Sequence, residues 1–259
     1  MVERGPDRGW TTSAMLAATP MGIIVLIRER ARRAAALLLT PVLTGCLPAS
    51  ATVEGELVSW LYALVMIAAA VVFAIVGGLL VWSILRYRAG DADRLPPQTR
   101  ANLALEAVWW ALPTLLVVVL IIGTTGVLAR IDAPPPEEAL VVEVDGFQWG
   151  WVFTYREAGV TVSGNASDRP RIKLPLNRPV TFVLTSSDVV HSFYVPAFLV
   201  KRDNVPGQEN ELTVMITEEG TYSGQCGEFC GLLHEGMGFE IDAVPPDQFE
   251  AWLAAEAGG

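Results

Sequence analysis

Two stretches without a single charge constrain this chain more than any other feature. Residues 57–85 and residues 107–129 contain no Asp, Glu, Lys or Arg. At about 1.5 Å per residue, each helix would run roughly 30 Å or more, enough to cross the hydrocarbon core of a bilayer. Lipid offers backbone polar groups no water, so a stretch of this kind satisfies them internally, as a helix. A hydrophobic content of 52% and a mean hydropathy of +0.40 agree with a membrane chain. The connecting segment holds Arg86, Arg88, Arg94 and Arg100 against Asp91 and Asp93. A short basic loop stays in the cytoplasm, which puts both flanks outside. The expectation is a hairpin within residues 46–131, with helices near 57–85 and 105–129.

The N-terminal flank reads as an export signal. Arg28, Arg30, Arg32 and Arg33 precede an apolar run over 34–43 that is too short to span. Then come Leu43, Thr44, Gly45 and Cys46, which resemble a bacterial lipobox. This predicts a leader over residues 1–45, cut before Cys46, with lipid attached to Cys46. A free or buried thiol in an uncleaved leader is the alternative. Met21 is a second candidate start.

After the second helix the character changes. Asp132, three consecutive prolines and Glu137-Glu138 make a stiff, charged linker. Short β-rich runs follow at 140–144, 148–155, 171–174, 180–185, 211–217 and 220–224, with turns at 164–168, 176–179 and 206–207. A short surface helix is expected near 249–255. Strands at this spacing predict a β-sandwich or barrel over residues 132–259. After residue 130 there are 20 acidic and 7 basic residues, so the whole-chain charge of −10 is concentrated in this domain. Such a domain repels nucleic acid and attracts a basic partner, although ordinary solubility explains the charge equally well.

The chemistry lies near the C-terminus. Cys226, Cys230, His234 and Met237 fall within twelve residues, and His191 lies upstream. The chain has 3 cysteines and 2 histidines, so nearly all of its thiols and imidazoles belong to this group. Thiolate, thioether and imidazole are soft or intermediate donors that select copper or zinc. Zinc is satisfied by Cys2His2 alone, whereas an added weak Met ligand points to copper electron transfer. Two thiolates four residues apart can bridge two ions, and a bridged copper pair spreads one electron over both. A disulfide between Cys226 and Cys230, or a structural zinc site, are the competing readings.

The run Cys-x-Glu-x-Cys-Gly-x-x-His-x-x-Met at 226–237, with Ser187 to Phe193 around His191 and Lys201 to Gly207 between, resembles subunit II of cytochrome c oxidase. The likeness runs from about residue 55 to the end. It implies a transmembrane hairpin followed by an all-β, cupredoxin-like Greek-key barrel carrying a binuclear copper centre of the Cu-A type. By motif, Cys226 and Cys230 are the bridging thiolates, His191 and His234 the imidazole ligands, Met237 the weak thioether, and Glu228 a ligand through its carbonyl. The Glu228 side chain would reach a Mg or Mn ion shared with subunit I.

The resemblance extends to other positions. Trp149, in Gly146 to Trp151, matches the tryptophan where electrons enter, while Trp151 reads as a core residue. Phe147 stands where many members have His, and Gln208 where Arg is frequent. Glu106, followed by Trp109 and Pro113, matches a glutamate near the mouth of a proton channel; a helix N-terminal acid favoured by the dipole is the plainer reading. Lys201 and Asp203 match residues facing subunit I. The implied role is electron relay in an aa3-type, proton-pumping oxidase of the bacterial plasma membrane. Cytochrome c would be the donor, haem-bearing subunit I the acceptor and subunit III a further partner. The chain has no oxygen-reducing site of its own and no Cys-x-x-Cys-His haem attachment motif. A quinol oxidase subunit would lack the copper ligands. A nitric-oxide-reducing relative, or a membrane-anchored copper-binding protein, are the remaining alternatives.

Overall fold

A computed structural model describes residues 49–88 and 101–258. The leader, the lipobox with Cys46, Met21 and the loop residues Asp91, Asp93, Arg94 and Arg100 lie outside the described residues.

Helix α1 spans Val53–Arg86 and helix α2 spans Leu103–Ile131. Each begins on a side-chain cap: the Thr52 hydroxyl accepts from Gly55 N (3.0 Å) and Asn102 Oδ1 accepts from Leu105 N (3.1 Å). Their mean hydropathies of 2.9 and 2.3 are those of membrane spans, and their apolar faces are almost wholly exposed. Water would not tolerate that surface, and lipid or a membrane partner would. Pro113 leaves one helical carbonyl without its usual donor, and the Thr114 hydroxyl bonds the Trp110 carbonyl beside it (2.8 Å). The two helices approach closely at Gly123, where an added Cβ would sit 3.6 Å from Leu61.

The β-domain is a sandwich of two five-stranded sheets. One sheet has the order β3-β2-β1-β5-β8, from Val160–Asn165, Gly150–Tyr155, Leu140–Phe147, Pro179–Ser186 and Asn210–Met215. The other has the order β4-β10-β9-β6-β7, from Arg171–Pro175, Gly238–Val244, Gly220–Cys226, His191–Val195 and Val200–Asn204. Most pairs are antiparallel, but β1 runs parallel to β5 and β4 parallel to β10. Helix α3, Pro246–Ala257, closes the chain against β4. The family fold expected from the sequence, a hairpin of long apolar helices followed by a cupredoxin-like β-domain, is the fold observed.

Alternation builds the core. In β10, Phe239, Ile241 and Ala243 point inward, and in β2, Trp151, Phe153 and Tyr155 do. Phe193 lies 4.9 Å from Phe239 and 4.5 Å from Phe182, ring centre to ring centre. Gly224 is required beneath Phe239, because an added Cβ would meet that ring at 2.1 Å. The sheets are also stapled by the buried Asn204, whose amide donates to the Val144 carbonyl (3.0 Å) and the Thr185 carbonyl (2.9 Å).

The strand expected at 148–155 begins later than the sequence suggested, at Gly150. Phe147 pairs with Gly150, so Gln148 and Trp149 form the tip between β1 and β2. Trp149 therefore stands at the end of the sandwich, while Trp151 is fully buried in the strand.

Candidate metal centre

The candidate ligands meet at one end of the sandwich. His191 opens β6, and the segment from Cys226 to Met237 links β9 to β10. The register of β9 and β10 brings Gly238 opposite Gln225, and Cys226 N donates to the Met237 carbonyl (3.0 Å). That bond clamps the base of the loop, so both of its ends are fixed by the sheet.

Within this frame Cys226 Sγ lies 3.9 Å from Cys230 Sγ, far beyond the roughly 2.0 Å of a disulfide, and both thiols are free and buried. His191 Nδ1 is 3.7 Å from Cys226 Sγ, and the Glu228 carbonyl oxygen is 3.2 Å from it. His234 Nδ1 is 3.6 Å from Cys230 Sγ, and Met237 Sδ is 3.7 Å from it. Donor atoms of His191, Cys226 and Cys230 all fall within 4.8 Å of one another. Each thiol thus has its own imidazole and its own weak donor. Six donors exceed what one tetrahedral zinc ion takes, and two thiols are what a bridged pair needs. The residues fit a binuclear soft-metal group.

Electrostatics separate the two thiols, easing ionisation at Cys226 and opposing it at Cys230. Burial pushes the Cys226 thiol up, but its hydrogen bond with His191, the backbone at Ser192 and Glu228, and His234 outweigh this and bring it down to about 7. Burial, then the neighbouring Cys226, push Cys230 up to about 12. The two thiols ionise as a pair, in separate steps.

Neighbouring groups orient the donors. His191 Nε2 lies 2.9 Å from Asp188 Oδ1, leaving Nδ1 turned to the sulfur. Asp188 is itself held by Gln148 N (2.7 Å) and Val189 N (2.6 Å). Burial raises its carboxyl, but His191 and these two amides bring it below the usual range. The carbonyl of Cys230 accepts from Gln148 Nε2 (2.7 Å) and from the Trp149 indole N–H (3.3 Å). Gly231 makes this possible: its φ is +122°, and an added Cβ would lie 3.2 Å from the Trp149 ring. Trp151 donates its indole N–H to the Met237 carbonyl (3.4 Å).

The structure brings His191, Cys226, Glu228, Cys230, His234, Met237 and Trp149 together. Lys201 is ion-paired to the Glu228 carboxylate and lies 3.9 Å from Asp203, so the two expected interface residues flank Glu228. Glu106 does not join this group. It sits half-buried in the first turn of α2, a helix about 43 Å long by its residue count, at the end away from the β-domain. Asp188 and Gln148 lie within the 187–193 and 146–151 segments, and the sequence assigns neither a role. A carboxylate three residues before a candidate histidine ligand is the signal that marks Asp188.

Residues 165–244 match the family described as "Cytochrome C oxidase subunit II, periplasmic domain". Residues 41–124 match "Cytochrome C oxidase subunit II, transmembrane domain". The chain is 34% identical over 229 residues to the cytochrome c oxidase subunit 2 of Alkalihalophilus pseudofirmus, an alignment covering 83% of this chain and 65% of that protein. It is 33% identical over 218 residues to the probable cytochrome c oxidase subunit 2 of Streptomyces coelicolor, covering 69% and 68% respectively. The chain thus spans about two thirds of the length of these relatives. Among solved structures, the periplasmic domain of the cytochrome oxidase subunit II of Bradyrhizobium japonicum aligns at 28% identity with a TM-score of 0.45, covering 48% of this chain and 98% of that one. On its sequence relatives, this chain belongs to the cytochrome c oxidase subunit II family.

Proposed function

We propose that this chain is the electron-transfer subunit of an aa3-type respiratory terminal oxidase. In this reading it relays electrons from cytochrome c, through a binuclear Cu-A centre, to the haems of subunit I, where oxygen reduction is coupled to proton pumping. The observation that supports it best is the convergence of two thiols, two imidazole nitrogens, a thioether and a carbonyl, each non-thiol donor within 3.7 Å of a thiol sulfur. Cys226, Cys230, His191, His234, Met237 and the Glu228 carbonyl would hold the copper. When bound, a thiolate-bridged copper pair accepts and releases one electron with little change in its bonds.

The chain's own residues set the conditions for that exchange. Burial keeps water from the thiols, and Asp188 holds the His191 ring in one orientation. The half-buried Trp149 is bonded to the ligand loop through the Cys230 carbonyl, which gives an arriving electron a short bonded route inward. The Glu228 carboxylate, held by Lys201 with Asp203 beside it, is the hard oxygen donor offered to a Mg or Mn ion at the subunit I surface. Glu106 serves at the proton-channel mouth on the cytoplasmic side. The β-domain faces the outside of a bacterial plasma membrane, with Cys46 lipidated and subunit III a further neighbour.

The test is to purify the full-length chain in detergent, reduce its thiols and add copper. Two coppers per chain and an EPR spectrum of one electron shared by two copper nuclei are expected. Cys230→Ser should abolish the shared-electron spectrum. Uptake of a single zinc in preference to copper, or a shared-electron spectrum surviving in Cys230→Ser, would overturn the reading.

A further inference from the structure

Two residues of the β1–β2 pair wall the donor set from inside the sandwich, and neither is a donor. Gly146 and Trp151 stand directly opposite each other in the register, so both face the core at the metal end. Both are buried, as are His191 and Met237. The two walls touch different parts of the donor set.

Gly146 lies beneath His191. A Cβ built there would sit 3.1 Å from Cγ and Cδ2 of the imidazole and 3.2 Å from the His191 Cβ. Side chains seldom approach so closely, so the missing side chain is what gives the ring its place. The Gly146 carbonyl also accepts from Ser187 N (3.1 Å), which ties the turn carrying Asp188 to the same point of β1. Asp188 in turn holds His191 Nε2 (2.9 Å). The imidazole is therefore fixed twice, by a hydrogen bond at one nitrogen and by contact across its ring. Its Nδ1 is left for the Cys226 sulfur, 3.7 Å away.

Trp151 reaches both His191 and Met237. Its ring meets the imidazole edge-on, with centres 6.1 Å apart and planes at 62°. Its indole N–H donates to the Met237 carbonyl (3.4 Å), which also accepts from Cys226 N (3.0 Å). One bond comes from the neighbouring strand β9, the other across the sandwich from β2. Together they hold the Met237 backbone, whose side chain places Sδ 3.7 Å from Cys230 Sγ. Phe239 (5.4 Å), Phe153 and Phe193 (6.5 Å each) pack around the indole, so it has no room to turn its N–H elsewhere. Packing alone would be met by phenylalanine, as it is at 153 and 239. The indole adds one donor, and that donor goes to the residue carrying the thioether.

We propose that Gly146 and Trp151 are positioning residues that set two of the donors separately: Gly146 the seat of His191, on the Cys226 side, and Trp151 the reach of Met237, on the Cys230 side. This rests on the electron-relay reading and deepens it. The β1–β2 pair supplies none of the six donors, yet it sets how evenly an electron is shared and at what potential it is held. A thioether donates electron density to an oxidised metal, so loosening Met237 favours the reduced form and raises the potential.

The experiment uses the full-length chain in detergent with copper restored. Trp151 is replaced by β-(3-benzothienyl)alanine, which keeps the shape of the indole and puts sulfur where the N–H stood. Two coppers should still bind, while the copper hyperfine pattern in the EPR spectrum changes and the midpoint potential moves upward. Gly146→Ala should lower copper affinity about tenfold, read by competition with a chelator, because the His191 ring has to give way. Phe182→Leu is the control: it loosens the same core at the ring packed 4.5 Å from Phe193, and should lower Tm while leaving spectrum and potential unchanged. An unaltered hyperfine pattern and potential in the benzothienyl variant, or an equal change in Phe182→Leu, would overturn the assignment of Trp151. Unchanged affinity in Gly146→Ala would overturn that of Gly146. Both results leave the relay intact. Absence of a shared-electron spectrum from the unsubstituted chain would instead sink the relay reading, and this proposal with it.

Discussion

At the scale of single residues, Asp188 is the group whose importance exceeds its visibility. It fixes the ring of His191 at 2.9 Å and is itself fixed by Gln148 N and Val189 N. Asparagine keeps one acceptor but turns an amide N–H towards one of these donors. Asp188→Asn is therefore expected to lower copper affinity by about 10–100-fold, the usual cost of losing such an outer partner, as read by competition with a chelator. A variant with unchanged affinity would show that the carboxylate is incidental. The donors themselves were legible in the sequence, because Cys, His and Met at Cys-x3-Cys-x3-His-x2-Met spacing are chemically unusual together. Asp188 carries only the signal of a carboxylate three residues before a candidate ligand, and Gln148 and Gly231 carry none, because ordinary residue types acquire their roles only when β1, the 187–190 turn and the ligand loop meet. Trp149 was legible as an aromatic but not as a turn residue, since its position at the tip follows from the pairing of Phe147 with Gly150.

At the scale of elements, the strands found in advance were those rich in buried β-branched and aromatic residues. Four were not anticipated: β3, β6, β7 and β10. β3 is a half-polar edge strand, and β7 reads Val-Lys-Arg-Asp-Asn, a charged segment that gains strand structure only by pairing with β6. β10 alternates cleanly and was hidden by its proximity to the ligand run. Across β4, β10 and β9, Arg171 donates to both oxygens of Asp242 (2.8 and 3.0 Å), and the Thr221 hydroxyl donates to the same carboxylate (2.7 Å). Burial raises the Asp242 carboxyl, but these bonds outweigh it and hold it below the usual carboxylate range. The contribution of this group is thus complete above the unfolded value near ~4 and is lost as pH falls through the lower folded value. Asp242→Asn should flatten the acid limb of the stability profile, measured by denaturant unfolding at successive pH values, and leave the slope at neutral pH unchanged. An unaltered acid limb would remove this network from the account.

At the scale of the whole molecule, the β-domain is seamed to the start of α1. Ala51 bonds both Ala197 and Thr217, Glu54 receives Met215 N, and Gly55 fits beneath the Phe198 carbonyl, where an added Cβ would come within 2.6 Å. Gly55→Val should therefore cost about 1–3 kcal/mol of overpacking strain, seen as a lower Tm for the full-length chain in detergent. If Tm is unchanged, the seam contributes nothing. The hairpin was legible from charge alone; the seam was not, because Ala51, Gly55 and Met215 carry no signal until the domain folds back onto the helix. One feature of the ligand set bears on how the protein is made. Five of the six donors sit on the β9–β10 loop, but His191 arrives from β6, joined to β9 by two residue pairs, Phe193 with Cys226 and Tyr194 with Gln225. The last donor is in place only when those pairs have formed and the sandwich has closed. The full donor set is therefore a property of the closed sandwich: a chain whose β6 has not paired with β9 offers five of the six donors.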